Sequence, residues 1–152
     1  MYNTRKDGNM SMSCTRRLEW DAGHRVLGHK GKCQHPHGHR YVVEITAEPY
    51  GGINDLGMVL DFSILKQVYG EFIDREWDHG FLVNKDDFEL IAALNMITNA
   101  KVYQCPFNPT AENLSWFLLT HTPLVQALAQ HKVVVRQVKL YETPNCFAVA
   151  KV

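Results

Sequence analysis

Three histidines occur at spacings that suit a metal site. His24 ends an alternating segment whose other inward positions are apolar, and His37 and His39 begin a second such segment. Residues i and i+2 of a strand share a face, so His37 and His39 point the same way, and His24 can reach them from a neighbouring strand. Three neutral imidazoles suit zinc, and three protein ligands leave an open position, as in catalytic sites. His29 and His35 lie in the intervening loop and are competing ligands, although no strand fixes them.

A cysteine and an Asp-His pair are candidates for proton transfer. Cys33 lies four residues before His37, and a nearby cation favours its thiolate, which can act as a base or nucleophile. Asp78 and His79 follow a long helical segment, and a carboxylate beside an imidazole can orient and charge a neighbouring group. Each feature also has an ordinary explanation, since loop cysteines are common and such a pair often ends a helix at the surface.

A carboxylate ends one apolar strand face. Glu142 follows Val138 and Leu140 at two-residue intervals. A buried acid needs donors. A ligand with a guanidine-like pair of N–H groups would supply two, and an ion pair with a nearby lysine or arginine is an equal alternative. Thr110 is placed to cap a helix, and Glu112 in the first turn of that helix favours its dipole.

Alternating patterns predict the strands that must position these residues. The predicted strands cover residues 18–24, 37–48, 133–142 and 147–152. Residues 143–146 connect the last two strands as a hairpin. A further short extended piece is predicted over residues 101–104.

Spacings of three and four residues predict two long helices. The first is capped by Asp61 and ends near Trp77, and the second begins after Thr110. Pro123 is expected to kink or restart the second helix. A short additional helix is predicted over residues 86–96.

Length and composition indicate one globular domain. The 152 residues include 16 basic and 16 acidic side chains, so nothing resembles a basic face for nucleic acid or for an anionic membrane. The four cysteines are widely spaced and include no CxxC pair, and a disulfide framework is not expected in a domain of this length with an ordinary core. Residues 1–13 are polar and lack the apolar region of a signal peptide. We therefore expect a disordered extension over residues 1–13, a single domain over residues 14–152 and a cytoplasmic location.

The sequence resembles the 6-pyruvoyl-tetrahydropterin synthase / 6-carboxy-tetrahydropterin synthase family. The resemblance is carried, in family order, by WDAGHRV, CQHPHGHRYVVEI, GMVLDF, WDHGFLVN, NPTAEN and YET, and it runs from about Leu18 to Val152. It implies an α+β tunnelling fold, with a four-stranded antiparallel sheet and two helices packed on one face. It also implies assembly into barrels, commonly homo-hexamers built from two trimers, with active sites between subunits.

The resemblance assigns a role to each candidate residue. The implied zinc ligands are His24, His37 and His39; the implied catalytic residues are Cys33, Asp78 and His79; the implied pterin-binding residues are Glu142, Thr110 and Glu112. The implied substrate is 7,8-dihydroneopterin triphosphate. Loss of triphosphate and carbon–carbon cleavage would yield 6-carboxy-5,6,7,8-tetrahydropterin and acetaldehyde, for queuosine and 7-deazapurine biosynthesis.

One interval within the motif favours the carboxy-forming branch of the family. Three residues separate Cys33 from His37, which resembles the bacterial 6-carboxy enzymes, whereas the animal pyruvoyl-forming enzymes have a longer interval. The alternatives are a 6-pyruvoyl-tetrahydropterin synthase and a non-catalytic, zinc-stabilised oligomer that binds a pterin or purine.

The sequence departs from the family pattern in two places. Gly23 stands where the family usually has alanine, which we expect to be benign, and the segment 81–109 is longer than in compact relatives. Arg25, Lys30 and Lys32 flank the histidine loop and are candidates to meet the triphosphate, with solvated loop charges as the alternative.

Overall fold

Six strands form one sheet in the computed structural model, which describes residues 11–152. In chain order the strands are β1 (Cys14–His24), β2 (His37–Pro49), β3 (Gly80–Asn84), β4 (Val102–Cys105), β5 (Val133–Thr143) and β6 (Cys146–Lys151). Their order across the sheet is β4-β3-β1-β2-β5-β6. Strands β1, β2, β5 and β6 pair antiparallel, whereas β3 pairs with β1, and β4 with β3, in parallel.

The pairing of β1 with β2 sets the register that matters for the site. Trp20 lies opposite Tyr41, and their rings stack with centroids 5.1 Å apart. Both side chains are buried, so a slip of one residue would move them, and every second residue with them, to the other face of the sheet. The same register places His24 opposite His37 at the end of the pair.

Within residues 11–152, four helices accompany the sheet. They are α1 (residues 62–76), α2 (Phe88–Asn95), α3 (Ala111–Thr120) and α4 (Thr122–Ala129). The predicted caps are confirmed, because the Asp61 carboxylate accepts from the Ser63 amide and the Thr110 hydroxyl accepts from the Asn113 amide. Pro123 lies in the first turn of α4, so it restarts the helix, in a position where its missing N–H costs little.

The main core joins the inward face of the sheet to the helices α1, α3 and α4. Its fully buried large side chains include Trp20, Tyr41, Ile45, Leu65, Tyr69, Leu114, Leu118, Leu128 and Leu140. A second, smaller cluster forms around Val83, Leu90 and Leu94, where α2 packs beside β3. The histidine-bearing strand ends therefore rest on a closely packed core, which restricts their movement.

The α+β class is confirmed, but the predicted count of four strands and two helices is wrong. The expected antiparallel sheet is present as β1, β2, β5 and β6, and β3 and β4 extend it beyond β1. Leu82 of β3 joins the main core, whereas the adjacent Val83 joins the small one. Because β3 is buried on both faces, it lacks the alternation that identifies a half-exposed strand.

The chain before β1 was predicted to be a disordered extension over residues 1–13. Residues 1–10 of that extension lie outside the described part of the chain, and residues 11–13 are exposed without helix or strand. No helix within residues 11–152 combines the length and apolar character needed to cross a membrane.

Candidate metal centre and neighbouring groups

The three predicted histidines converge at one end of the β1–β2 pair. His24 lies opposite His37, and His39 lies opposite Ala22, so all three imidazoles fall on the inward face. One ring nitrogen from each lies within 4.8 Å of the others. The Nε2 atoms of His24 and His37 are 3.1 Å apart. This spacing brings the three side chains within reach of a single ion.

Backbone carbonyl groups fix the tautomers of two of these rings. The Nδ1 atom of His24 lies 2.7 Å from the Pro109 carbonyl oxygen, and that of His37 lies 2.7 Å from the His35 carbonyl oxygen. A carbonyl oxygen can only accept, so each Nδ1 carries the hydrogen and each Nε2 presents a lone pair. Such backbone contacts are the usual orienting partners of metal-ligating histidines.

A bound cation explains the geometry of the histidine cluster better than contacts among the protein atoms alone. Two Nε2 lone pairs that face each other at 3.1 Å repel unless a proton or a metal ion lies between them. The Nε2 atom of His39 is buried and has no hydrogen-bond partner among the described residues, which is costly for a polar atom. Three neutral nitrogen donors would satisfy a divalent ion such as zinc.

Burial favours the neutral forms of His24 and His39, which are the forms that bind metal. Burial lowers the pKa of His24 below its usual value, and the nearby histidines add to this, although the Pro109 carbonyl and Glu142 oppose it. Burial also lowers the pKa of His39, again against the charge of Glu142. A lowered pKa means that less proton competition must be overcome when metal binds at neutral pH.

Glu142 lies next to the histidine cluster. Its Oε1 atom is 3.4 Å from Nε2 of His24 and 3.9 Å from Nε2 of His39. Val138 and Leu140, which precede it on the same face of β5, are fully buried, whereas the Glu142 side chain is 26% exposed. The carboxylate therefore stands at the open rim of the site, where it can accept hydrogen bonds from a ligand or approach the metal.

Asp78 and His79 form a second cluster. The Asp78 carboxylate accepts from the Asp21 backbone N–H at 3.0 Å and from His79 Nδ1 at 2.9 Å. Burial opposes ionisation of Asp78, but these contacts and the charge of Lys101 outweigh it, so its pKa is lowered. His79 has a positive φ of 57° and a largely exposed ring, which leaves its Nε2 available to a neighbouring group.

The second cluster borders an open cleft of ≈ 550 Å³. Gly23, Gly38, His79 and Phe81 contribute to its lining. Gly23 and Gly38 alternate with the histidine positions, so this cleft opens on the sheet face opposite the imidazoles of the histidine cluster. A Cβ atom at Gly23 would lie 2.6 Å from the Phe81 ring, so the glycine leaves room for that ring.

The three predicted catalytic residues are not assembled within one chain. Cys33 lies half-buried in a short 3₁₀ turn, Lys32–Gln34, and it belongs to neither of the two clusters formed by His, Cys, Asp and Glu side chains among the described residues. Its backbone carbonyl accepts from the Val26 amide at 2.8 Å, which ties the loop back to the end of β1. The histidines and the Asp78–His79 pair form separate clusters.

The NPTAEN segment contributes a backbone atom to the surroundings of the histidine cluster. Thr110 caps α3, and Glu112 is exposed in the first turn of that helix. The atom that contacts the histidine cluster is the Pro109 carbonyl oxygen, which lies 2.7 Å from His24 Nδ1. The sequence did not indicate this contact, because every residue has a backbone carbonyl group and the residue type does not show which carbonyl group makes a contact.

Arg25, one of the three candidates for contact with the triphosphate, forms an ion pair within the chain. Its guanidinium makes a two-point contact with Asp87, including Nε to Oδ2 at 2.6 Å, and it also reaches Glu89 at 2.9 Å. Asp87 is only 2% exposed and also caps α2. Lys30 and Lys32 remain exposed. Arg25 is thus committed to an internal ion pair, and the two lysines stay candidates for an anionic ligand.

Comparison with known proteins gives a consistent result. The sequence model of the family described as 6-pyruvoyl tetrahydropterin synthase matches residues 13–151. A Rickettsia felis protein named 6-carboxy-5,6,7,8-tetrahydropterin synthase is 43% identical over 136 residues, which cover 90% of this chain and 97% of the relative.

Two solved structures share the fold. An uncharacterized protein from Wolinella succinogenes superposes with a TM-score of 0.79 at 22% identity, over 94% of this chain and 99% of the other. The 6-pyruvoyl tetrahydropterin synthase of Plasmodium falciparum gives a TM-score of 0.69 at 19% identity, over 93% of this chain and 98% of the other.

Proposed function

Because the chain belongs to the 6-pyruvoyl tetrahydropterin synthase family, we propose that it converts 7,8-dihydroneopterin triphosphate to 6-carboxy-5,6,7,8-tetrahydropterin. Triphosphate leaves, one water is consumed when the side-chain carbon–carbon bond breaks, and acetaldehyde is released. The similarity to a Rickettsia protein named for the carboxy product, at 43% identity, supports this product. The short interval between Cys33 and His37 supports it as well.

The observation that carries the proposal is the convergence of His24, His37 and His39 beside Glu142. Three neutral imidazoles with an open side suit catalytic zinc, whose Lewis acidity would stabilise negative charge on the side-chain oxygens of the substrate. The role of the protein is to present three lone pairs in fixed directions. The carbonyl contacts to His24 and His37 do this before metal arrives.

Glu142 is the proposed anchor for the pterin ring. Its carboxylate stands at the rim of the cluster, and the 2-amino and N3 positions of a pterin offer two parallel N–H donors to such a group. Thr110 and Glu112 lie at the start of α3, directly after Pro109, whose carbonyl oxygen contacts His24. They would border the bound pterin rather than react with it.

Cys33, Asp78 and His79 are the proposed proton-transfer groups. Cys33 would exchange protons with the substrate side chain, while Asp78 keeps the His79 ring oriented through the 2.9 Å contact at Nδ1. One chain keeps these residues in separate places. This supports a homo-oligomer, as in a hexamer of two trimers, in which the cleft beside His79 of one subunit faces the histidine cluster of the next.

Incubation of the zinc-loaded protein with 7,8-dihydroneopterin triphosphate, followed by mass spectrometry, tests this function. We expect 6-carboxytetrahydropterin and acetaldehyde in equal amounts. A product that keeps all three side-chain carbons would identify a pyruvoyl-forming enzyme instead. Binding without turnover would favour the non-catalytic, zinc-stabilised oligomer. The exposed Cys146 provides a matched control for Cys33, since Cys146→Ala should leave turnover intact.

A further inference from the structure

Asn108 connects three segments that surround the metal cluster. Its side-chain Oδ1 accepts from the Leu27 amide at 3.0 Å and from Asn84 Nδ2 at 3.1 Å, and its Nδ2 donates to the Leu27 carbonyl at 3.0 Å. Its own carbonyl accepts from Asn113 Nδ2 at 3.0 Å and from the Thr110 amide at 2.8 Å. One residue therefore joins the loop after β1, the end of β3 and the start of α3.

The contact with Leu27 requires an amide side chain of this length. Asn108 donates to the carbonyl and accepts from the N–H of the same residue, as a neighbouring strand would do. Aspartate could accept but not donate, and it would place a carboxylate oxygen against the Leu27 carbonyl. Alanine would leave both backbone groups of Leu27 without this partner.

The contact between Asn108 and Leu27 lies close to His24, one of the proposed metal ligands. Leu27 lies three residues after His24, and Pro109 directly follows Asn108. The Pro109 carbonyl accepts from His24 Nδ1 at 2.7 Å, in a buried contact. The chain from His24 to Leu27 is thus held at both ends by residues 108 and 109, so the position of Asn108 sets where the Pro109 carbonyl meets the imidazole.

We propose that Asn108 is a positioning residue for the metal site. It fixes the Pro109 carbonyl against His24, which keeps the His24 hydrogen on Nδ1 and directs the Nε2 lone pair at the ion. The inference rests on the proposed metal-binding function of the histidines, and it adds a residue whose hydrogen bonds go to Leu27, Asn84, Thr110 and Asn113 rather than to the three histidines. Partners of this kind change metal affinity without being ligands.

The test compares Asn108→Ala, Asn108→Asp and the control Asn54→Ala in the full chain. Asn54 also uses its side-chain oxygen twice, for the Leu56 and Met58 amides, but it lies in the exposed loop after β2. Zinc affinity is measured by competition with a chelator. We expect Asn108→Ala to weaken zinc binding by about 10- to 100-fold, as for other partners of metal ligands. Asn54→Ala should bind zinc like the parent chain even if its melting temperature falls.

A second measurement does not involve metal. Long-range ¹H–¹⁵N spectra of the zinc-free protein report which ring nitrogen of each histidine carries the hydrogen. We expect His24 to change from the Nδ1–H form to a mixture in Asn108→Ala, while His37, held by the His35 carbonyl, remains in the Nδ1–H form. A purely structural role for Asn108 would lower stability without this selective change.

Each outcome decides the proposal. Unchanged zinc affinity in Asn108→Ala, or an unchanged His24 tautomer, would overturn it. If the alanine variant does not fold, Asn108→Asp carries the same two measurements, because it keeps the acceptor for Leu27. If the parent chain binds no zinc, the proposed metal site is wrong, and the tautomer measurement alone decides the role of Asn108.

Discussion

The ion pair between Arg25 and Asp87 should be among the most costly contacts to break in this protein. Arg25 directly follows the proposed metal ligand His24, and its side chain is 16% exposed. Asp87 is 2% exposed, holds the guanidinium at two points, and also accepts from the Leu90 amide as the cap of α2. Asp87→Ala would leave the Arg25 guanidinium without its main partner.

The expected loss combines two contributions. Removing one partner of a buried ion pair typically costs about 3–5 kcal/mol, and losing a helix cap costs about 1 kcal/mol. Arg25 retains some solvent contact and Glu89 as a second partner, which favours the low end of that range. We therefore expect Asp87→Ala to lower the free energy of unfolding by about 4 kcal/mol.

Urea denaturation of the variants tests this expectation. Glu89→Ala is the matched control, because Glu89 contacts the same guanidinium but its side chain is 85% exposed, and exposed pairs contribute about 0–1 kcal/mol. The double variant Arg25→Ala/Asp87→Ala should lose less than the sum of the single losses, since it leaves no unpaired charge. A loss below about 1 kcal/mol for Asp87→Ala would refute the reasoning.

The same pair predicts a pH dependence. The two-point contact with Arg25 holds the pKa of Asp87 below its usual value, although burial opposes this. A lowered pKa in the folded state contributes stability that is present above the unfolded pKa and is lost as pH falls through the folded pKa. The difference in free energy of unfolding between the parent chain and Asp87→Asn should therefore shrink below roughly pH 4. A difference that stays constant with pH would contradict the lowered pKa of Asp87.

Three further changes test other parts of the site. Cys33→Ala should abolish turnover with zinc content unchanged, unlike Cys146→Ala; loss of zinc would instead identify Cys33 as a ligand. Glu142→Gln should raise the KM for the pterin by roughly 10- to 100-fold, because a charged hydrogen bond is lost, whereas loss of zinc would make Glu142 a fourth ligand. Gly23→Ala should cost about 1–3 kcal/mol through its clash with Phe81; an equal cost in a Phe81→Ala background would exclude that cause.

The sequence predicted best those features that repeat along a strand or helix. The inward row ending at His24 and the row beginning at His37 follow a period of two, and the structure puts both rows on one face. Strand β3 was missed because it has five residues, is buried on both faces, and pairs with β1 over only three residues. Its position depends on the small core beneath α2, which local periodicity does not describe.

Contacts between distant residues account for the rest of the site. Arg25 and Asp87 are 62 residues apart, and His24 and Pro109 are 85 residues apart. The spacing of residue types carries no information about such pairs unless a family motif already does. The Pro109 contact is also made by a backbone oxygen, so its chemistry is independent of the side chain.

The separation of Cys33 from Asp78 within one chain leads to a prediction about mixed oligomers. If a complete site takes Cys33 from one subunit and Asp78 from another, two inactive chains can restore each other. Cys33→Ala and Asp78→Ala chains, denatured and refolded together, should contain both native residues at about a quarter of their sites under random assembly of a symmetric ring. Each variant refolded alone should be inactive, and the mixture should regain activity in proportion to these complete sites.

A second mixture provides the control. Cys33 and His37 lie in one short segment, so a site that draws both from the same chain cannot be completed by mixing Cys33→Ala with His37→Ala chains. Recovery in the first mixture alone would establish that the cleft beside His79 serves the histidine cluster of a different subunit. If neither mixture regains activity although hybrid oligomers form, the three proposed catalytic residues must come together within one chain, through a movement of the 3₁₀ turn that carries Cys33.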